Sequence, residues 1–357
     1  RCVGADDLTL SLFENQYPVQ PMGVSYNSYL ILDEKIAVMD SVDARAADEW
    51  LAKLAHELDG RSPDYLVISH MEPDHSGSIL RLAEKYQEMK LVGNTKTFTM
   101  LRQFFGAKAP TDDRLLEVGE GETLPLGAHT LHFMLAPMVH WPEVMVAYEE
   151  TEKILFSADA FGRFGSLGRT ANAPWAPQAR RYYYNIVGKY GAQVQALLKK
   201  AAALEIETIC PLHGPVLTGG ALAEALRLYD LWSRWQSEAP EEILLAHASI
   251  HGNTARAAEL LKQKLEAKGA RVTLCDLTTT EVSYAVANAF YCGKLVLACS
   301  TYDGGLFPPM EEFLSHLQAK GFRDRSVGLM ENGSWAPAAA RLMRAKLEEM
   351  KDLRVCD

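Results

Sequence analysis

The sequence predicts a two-domain α/β protein, with a layered domain over residues 1–238 and a doubly wound parallel sheet over residues 239–357. Three observations lead there. The chain has 357 residues, enough for two domains on length alone. Short apolar, β-branched runs alternate with helical periodicity along most of it. A polar, proline-containing joint at 237–242 (Ser-Glu-Ala-Pro-Glu-Glu) then separates an irregular alternation from a regular one.

In the first domain, apolar runs at Leu8–Phe13, Ser25–Leu32 and Lys35–Met39 read as strands of a meander. Trp50, Leu51, Leu54 and Leu58 recur at helical spacing, so 44–58 is an amphipathic helix. Tyr65 to Ile68 reads as a short buried strand. Residues 78–88 and 97–105 are helical, with a strand at Leu91-Val92 between them. Strand-like runs follow at 114–118, 130–136, 144–149 and 153–157. A long helical stretch covers 177–204, its Tyr182, Tyr183 and Tyr184 read as helical core in preference to a pocket lining, and 208–212 is one more strand. In the second domain strands at 243–248, 271–276, 294–300 and 326–330 alternate with helices at 254–268, 281–289, 308–318 and 336–350. Four strands interleaved with four helices imply crossover connections and a parallel sheet.

Composition narrows the function. A net charge of −10 argues against nucleic acid or an anionic membrane as the main partner. The six cysteines, Cys2, Cys210, Cys275, Cys292, Cys299 and Cys356, never form Cys-x-x-Cys. That suits a reducing cytoplasm and gives no iron–sulfur or zinc-ribbon pattern. No apolar run reaches 18 residues and no signal peptide opens the chain, so no membrane span is expected. Beginning at Arg1 and stopping at Cys356-Asp357, the sequence reads as a fragment at both ends.

The densest chemistry is residues 69–77, Ser-His-Met-Glu-Pro-Asp-His-Ser-Gly. His70, Glu72, Asp74 and His75 are four strong ligand types at a strand end. Pro73 biases Glu72 towards an extended conformation and stops a helix from starting before Asp74. With period-two alternation His70, Glu72 and Asp74 point one way and His75 another, as a ligand to a second metal would. Three more candidates follow apolar strand-like runs: His140, Asp159 and His213. Seven ligands exceed what one ion needs, so two metals are implied. Asp159, alone on its loop, is the natural bridge. Four imidazoles and three carboxylates favour iron, manganese or zinc over copper(I), and Glu72, a hard oxygen donor, tilts the set towards iron. His56, His129, His132, His247, His251 and His316 read as ordinary surface or core histidines.

His70-Met-Glu-Pro-Asp-His75, Ser157-Ala-Asp-Ala-Phe-Gly162, His140 and Pro211-Leu-His-Gly-Pro215 resemble the iron-site motifs of flavodiiron proteins, the A-type flavoproteins. These are a redox branch of the metallo-β-lactamase superfamily, whose zinc hydrolases carry His-x-His-x-Asp-His where Glu72 stands here. The resemblance implies a metallo-β-lactamase-like αββα sandwich followed by a flavodoxin-like domain. It also implies that His70, Glu72 and His140 bind one iron and Asp74, His75 and His213 the other, with Asp159 bridging.

The second domain has loops to match. Strand 243–248 leads into Ser249, Ile250, His251, Gly252, Asn253 and Thr254, a small, hydroxylated strand-to-helix turn whose free N–H groups suit a phosphate. Ser300, Thr301, Tyr302, Asp303, Gly304, Gly305 and Leu306 follow the third strand. Glu331, Asn332, Gly333, Ser334 and Trp335 follow the fourth. Ligands of open α/β sheets sit beyond the carboxyl ends of strands, where all three loops fall. Their order is similar to flavodoxin, which binds FMN there, and Tyr302 and Trp335 could flank its ring. The fingerprint Gly-x-Gly-x-x-Gly is absent, against an NAD site. The family's flavodoxin domain continues into a fifth strand and last helix, and this chain is expected to end before both; some members add a fused rubredoxin.

The resemblance therefore implies an oxidoreductase that reduces dioxygen to water, nitric oxide to nitrous oxide, or both. Its cofactors would be FMN and two iron ions, its donor a rubredoxin, and its assembly a head-to-tail homodimer or a dimer of dimers. Two other readings stand beside it. One is a two-metal hydrolase of the metallo-β-lactamase type. The other is a flavodoxin-like electron carrier or gas sensor without turnover.

Overall fold

The computed structural model describes residues 1–356 and divides the chain into two compact units. The first comprises Arg1–Tyr183 with Ala192–Asp230. The second comprises Tyr184–Gly191 with the chain from Leu231 onward.

Two sheets form the core of the first unit. One runs in the order Tyr29–Ile31, Ala37–Met39, Tyr65–Val67, Lys90–Gly93, Leu115–Glu117, its first pair antiparallel and the rest parallel. The other runs Thr123–Pro125, Thr130–Leu135, Met145–Glu149, Ile154–Phe156, Thr208–Cys210, Leu217–Thr218, with one parallel pair, Ile154–Phe156 beside Thr208–Cys210. They meet through β-branched, sulfur and aromatic side chains: Met39, Val67 and Val92 from one, Phe133, Met145 and Phe156 from the other. Helix Ala47–Leu58 buries Trp50, Leu54 and Leu58 on one face and ends at Asp59 in the left-handed region (φ 47°). The outcome of this packing is positional. The carboxyl ends of strands 65–67, 130–135, 154–156 and 208–210 deliver the loops that carry His70, His140, Asp159 and His213.

The second unit is a six-stranded sheet: five parallel strands in the order Val272–Asp276, Ala239–Ala248, Cys292–Tyr302, Ser326–Asn332, Arg354–Cys356, with Gly305–Leu306 pairing antiparallel to the end of Cys292–Tyr302. Leu245, Ala258 and Ala298 are central to its core, and strand residues 244–246 are fully buried, as a sheet flanked on both faces requires.

Several local expectations are corrected. Residues from Ala239 are strand rather than joint, although Pro240 and a register shift between Ala239 and Ile243 roughen its start. The chain does not end before the fifth strand: Arg354–Cys356 pairs in parallel with Ser326–Gly328. Leu8–Phe13 is not one strand, because Ala5–Asp7 and Leu12–Phe13 pair with different partners. The stretch 177–204 is not one helix. Trp175–Tyr182 passes through a π-turn at Tyr183–Val187 and a 3-10 turn at Gly188–Tyr190 before Gly191–Ala201 resumes. A Cβ on Gly191 would lie 2.3 Å from the Ser233 carbonyl oxygen, so the backbone approaches there more closely than a regular helix with side chains allows. Helix Gly219–Ser233 lies outside the expected elements, though Leu222, Ala225, Leu228 and Trp232 bury one of its faces.

Candidate functional site

Strand Tyr65–Val67 stops at a scaffold prepared by its neighbour. Buried Asp40, one residue past strand Ala37–Met39, accepts the Ser69 and His70 backbone N–H groups at 2.7 and 3.3 Å. Glu72 is extended (ψ 140°), as Pro73 requires, but a short helix begins at Pro73 itself and runs to Ser76. Proline is well suited to that first position because its missing N–H would be unpaired anyway. The alternation expected across Asp74 is therefore wrong. His70 and Glu72 point one way, and the helical turn sends Asp74 and His75 the other.

All seven candidates converge in two groups. His70, Glu72, His140 and Asp159 form one; Asp74, His75 and His213 form the other. In the first, His140 Nε2 lies 3.0 Å from Glu72 Oε2 and 3.1 Å from Asp159 Oδ2, and His70 Nε2 lies 3.2 Å from Glu72 Oε2. In the second, His75 Nε2 and His213 Nε2 are each 3.3 Å from Asp74 Oδ2. Asp159 spans both, because its other oxygen, Oδ1, is 3.4 Å from His75 Nε2 and 3.7 Å from His213 Nε2.

The donor chemistry tests whether metal fits. His75 Nε2 and His213 Nε2 approach to 3.0 Å, a contact that needs a proton on one of them or a cation drawing both lone pairs. Both oxygens of Asp74 and Oδ1 of Asp159 are buried without a hydrogen-bond partner, a costly state for carboxylates unless a cation answers them. Burial pulls the Glu72 and Asp159 carboxyls upward, but the histidines outweigh it and hold both below the usual range. The same contacts, working against burial, push His140 up to about 9. These bound protons are what divalent cations displace on binding. Four imidazoles and three hard carboxylate donors fit iron, manganese or zinc.

Two supporting residues, Asn27 and Glu143, escaped sequence reasoning, and a third, Tyr182, was placed there with the helical core in preference to the pocket. Asn27 is buried; its amide reaches the Pro211 and Gly214 carbonyls at 2.8 and 2.7 Å, while its own N–H donates to Leu212. It thus holds the loop that presents His213. Asn27→Ala is expected to lower unfolding free energy by about 2–3 kcal/mol and cation retention by roughly tenfold, read by denaturant melts and by metal remaining after dialysis against a chelator. Glu143 hydrogen-bonds His70 Nδ1 at 2.8 Å; its place three residues after His140 was the only signal. Tyr182 is 1% exposed with its ring 5.5 Å from that of His213, and its hydroxyl has no partner. Burial, reinforced by Asp159, Asp74 and Glu72, drives its pKa well above the ordinary value, so it stays protonated. Tyr183 and Tyr184 are core, Tyr184 stacking on Phe290 at 3.9 Å. A cavity of about 550 Å³, lined by Leu10, Leu12, Phe13, Glu14, Tyr26 and Arg45 among others, opens onto Glu72 and Asp74.

In the second unit the three predicted loops converge. Thr254 Oγ1 is 2.8 Å from Ser300 Oγ and 3.4 Å from Asn332 Nδ2. Beside them a cavity of about 100 Å³ is lined by Ser249, Ile250, His251, Asn253, Thr301, Gly333 and Ser334 as well. Gly252, at φ +82°, turns the chain into helix Asn253–Glu266, and Ser249 Oγ is buried and unpartnered. Hydroxyls with free capacity at a helix start are the donors a phosphate group needs. Tyr302 and Trp335 are 44% and 76% exposed, open for a planar ring to cover.

The model of the family described as ODP family beta lactamase matches residues 24–214. The rubredoxin-oxygen oxidoreductase of Megalodesulfovibrio gigas is 28% identical over 98% of this chain and 87% of its own length. The anaerobic nitric oxide reductase flavorubredoxin of Aliivibrio salmonicida is 28% identical over 97% of this chain and 70% of its own. The crystal structure of the flavodiiron protein from Giardia intestinalis superposes with a TM-score of 0.90 at 26% identity, covering 99% of this chain and 89% of that one. Among the described residues no helix is long and apolar enough to cross a membrane.

Proposed function

The chain belongs to the ODP family of beta lactamases, and from that premise we propose that it is a flavodiiron oxidoreductase reducing dioxygen to water, nitric oxide to nitrous oxide, or both. One observation carries the reading: two buried donor sets joined by Asp159 occur in the same chain as a flavodoxin-type trio of loops. A hydrolase would use the first and leave the second idle. Relatives named for oxygen and nitric oxide reduction that span nearly all of the chain support the same choice. In this reading residues 1–238 carry the metals and 239–357 the flavin.

His70, Glu72 and His140 would hold one iron and Asp74, His75 and His213 the other, with one Asp159 oxygen directed to each. The Ser249–Thr254, Ser300–Leu306 and Glu331–Trp335 loops would hold FMN. When bound, the iron pair supplies electrons and open coordination positions for a small gas, and FMN relays electrons one at a time. The protein's own part is electrostatic and geometric. Three ligand carboxylates would nearly balance two divalent cations and keep the site close to neutral. Asp159, reaching both sets, would hold the two cations together. The Tyr182 hydroxyl, protonated and unpaired, is a donor available to a ligand at the centre. Tyr182→Phe is expected to cut turnover roughly 100-fold while metal content and melting temperature stay put, since no existing hydrogen bond is lost. Equal turnover would remove Tyr182 from the chemistry.

A rubredoxin-type donor, a head-to-tail homodimer or dimer of dimers, and a cytoplasmic location belong to the same reading; what supports them is the likeness to flavodiiron proteins and to relatives named rubredoxin-oxygen oxidoreductase and flavorubredoxin. The deciding experiment is electrode measurement of dioxygen and nitric oxide consumption by the iron- and FMN-loaded protein with reduced rubredoxin. Consumption of either gas is expected. Purified protein with two zinc ions and no flavin would sink the redox reading.

A further inference from the structure

The two donor sets are alike in composition. His70, Glu72 and His140 offer two imidazoles and a carboxylate, and so do Asp74, His75 and His213. Asp159 reaches both sets but lies nearer the first, its Oδ2 3.1 Å from His140 Nε2 against 3.4 Å from Oδ1 to His75 Nε2. A second difference lies behind the imidazoles.

His70 Nδ1 is 2.8 Å from Glu143 Oε1. The same oxygen accepts the Met71 backbone N–H at 2.8 Å, so it acts as an acceptor and the imidazole nitrogen donates. Glu143 is 1% exposed, and its second oxygen has no partner to share its charge. Its own carbonyl is anchored by the Asn94 side-chain amide at 2.6 Å. Because Glu143 follows His140 by three residues, one side chain ties the His140 loop to the His70 loop and braces two ligands of one cation. The other set lacks this. His213 Nδ1 meets the Ser25 backbone carbonyl at 2.7 Å, a neutral acceptor. His75 Nδ1 is buried with no partner.

We propose that Glu143 is a positioning residue that makes the two metal positions unequal, so that His70, Glu72 and His140 take a divalent cation first and hold it more tightly than Asp74, His75 and His213. A carboxylate accepting from Nδ1 fixes the tautomer that presents the Nε2 lone pair and raises its donor strength. A backbone carbonyl does the first but contributes less to the second. The inference rests on the two-metal reading above, not on gas reduction.

The test is a Co²⁺ titration of the full, flavin-loaded, metal-depleted protein, followed by the cobalt absorption bands and by calorimetry. Two binding steps at least tenfold apart are expected. Glu143→Gln should weaken the tight step alone, roughly 10- to 100-fold, and Glu143→Asp should restore part of it. His140→Ala should abolish the tight step and His213→Ala the weak one. That comparison decides the order of filling even if Glu143→Gln fails to fold. Two equal steps, a tight step that survives His140→Ala, or a Glu143→Gln variant weakened equally at both positions would each overturn the proposal. Equal steps in a protein that still consumes gas would do so while leaving the proposed function standing. A protein that binds no cobalt would remove both.

Discussion

Asp159→Ala is expected to abolish dioxygen and nitric oxide consumption, a loss on the order of 10³-fold or more, while the protein keeps its flavin. Asp159 is 1% exposed, and its two oxygens face different imidazole groups. Alanine would leave His70, His75, His140 and His213 around a space with one fewer negative charge. Two divalent cations would then repel across it with no ligand between them, and at most one should be retained. The flavin loops belong to the other unit, so flavin absorbance should be unchanged. Asp159→Asn tests the charge separately from the shape and should also lose metal. The measurements are metal per chain, flavin per chain and electrode traces. Wild-type turnover with two metals in Asp159→Ala would refute the bridging role.

The second large effect concerns stability. Arg325, 5% exposed, donates to the carbonyls of Cys292, Phe290 and Trp235 at 2.9, 3.0 and 2.9 Å and to those of Arg323 and Asp324 at 3.2 Å. Burial lowers its pKa, and these carbonyl dipoles are what hold its charge. Together they bind the start of strands Cys292–Tyr302 and Ser326–Asn332 to the turn at Trp235. Methionine fills similar length without donors, stranding several carbonyls. Arg325→Met should cost about 3–5 kcal/mol, seen as a lower denaturant midpoint for flavin release. An unchanged midpoint would mean that water replaces the guanidinium.

How much of this was legible depends on the range of each signal. The ligand loop was readable because His70, Glu72, Asp74 and His75 follow a short apolar strand within a few positions, and the alternation of the second domain because strand and helix periodicities are local. Asp74 was assigned to the wrong face because period-two reasoning was carried past Pro73, which opens a helix. The broken helix at Tyr183–Tyr190 had a visible sign in Gly188 and Gly191, but its cause, contact with Ser233, is tertiary. Asn27 is an ordinary amide in an apolar run until Pro211 and Gly214 are folded onto it. Arg325 looks like a surface cation at a strand start. Such residues serve partners that no local pattern names.

The ligands' wide spacing along the chain also sets a clock for assembly. His70 and His213 are about 140 residues apart, and neither donor set is complete without a residue from a much later strand. During synthesis the Ser69–Gly77 loop emerges first and waits roughly ten seconds to half a minute before His213 has been added. The set of His70, Glu72 and His140 with Asp159 has all its residues in the chain well before then, whereas Asp74 and His75 lack their third partner until His213 is made.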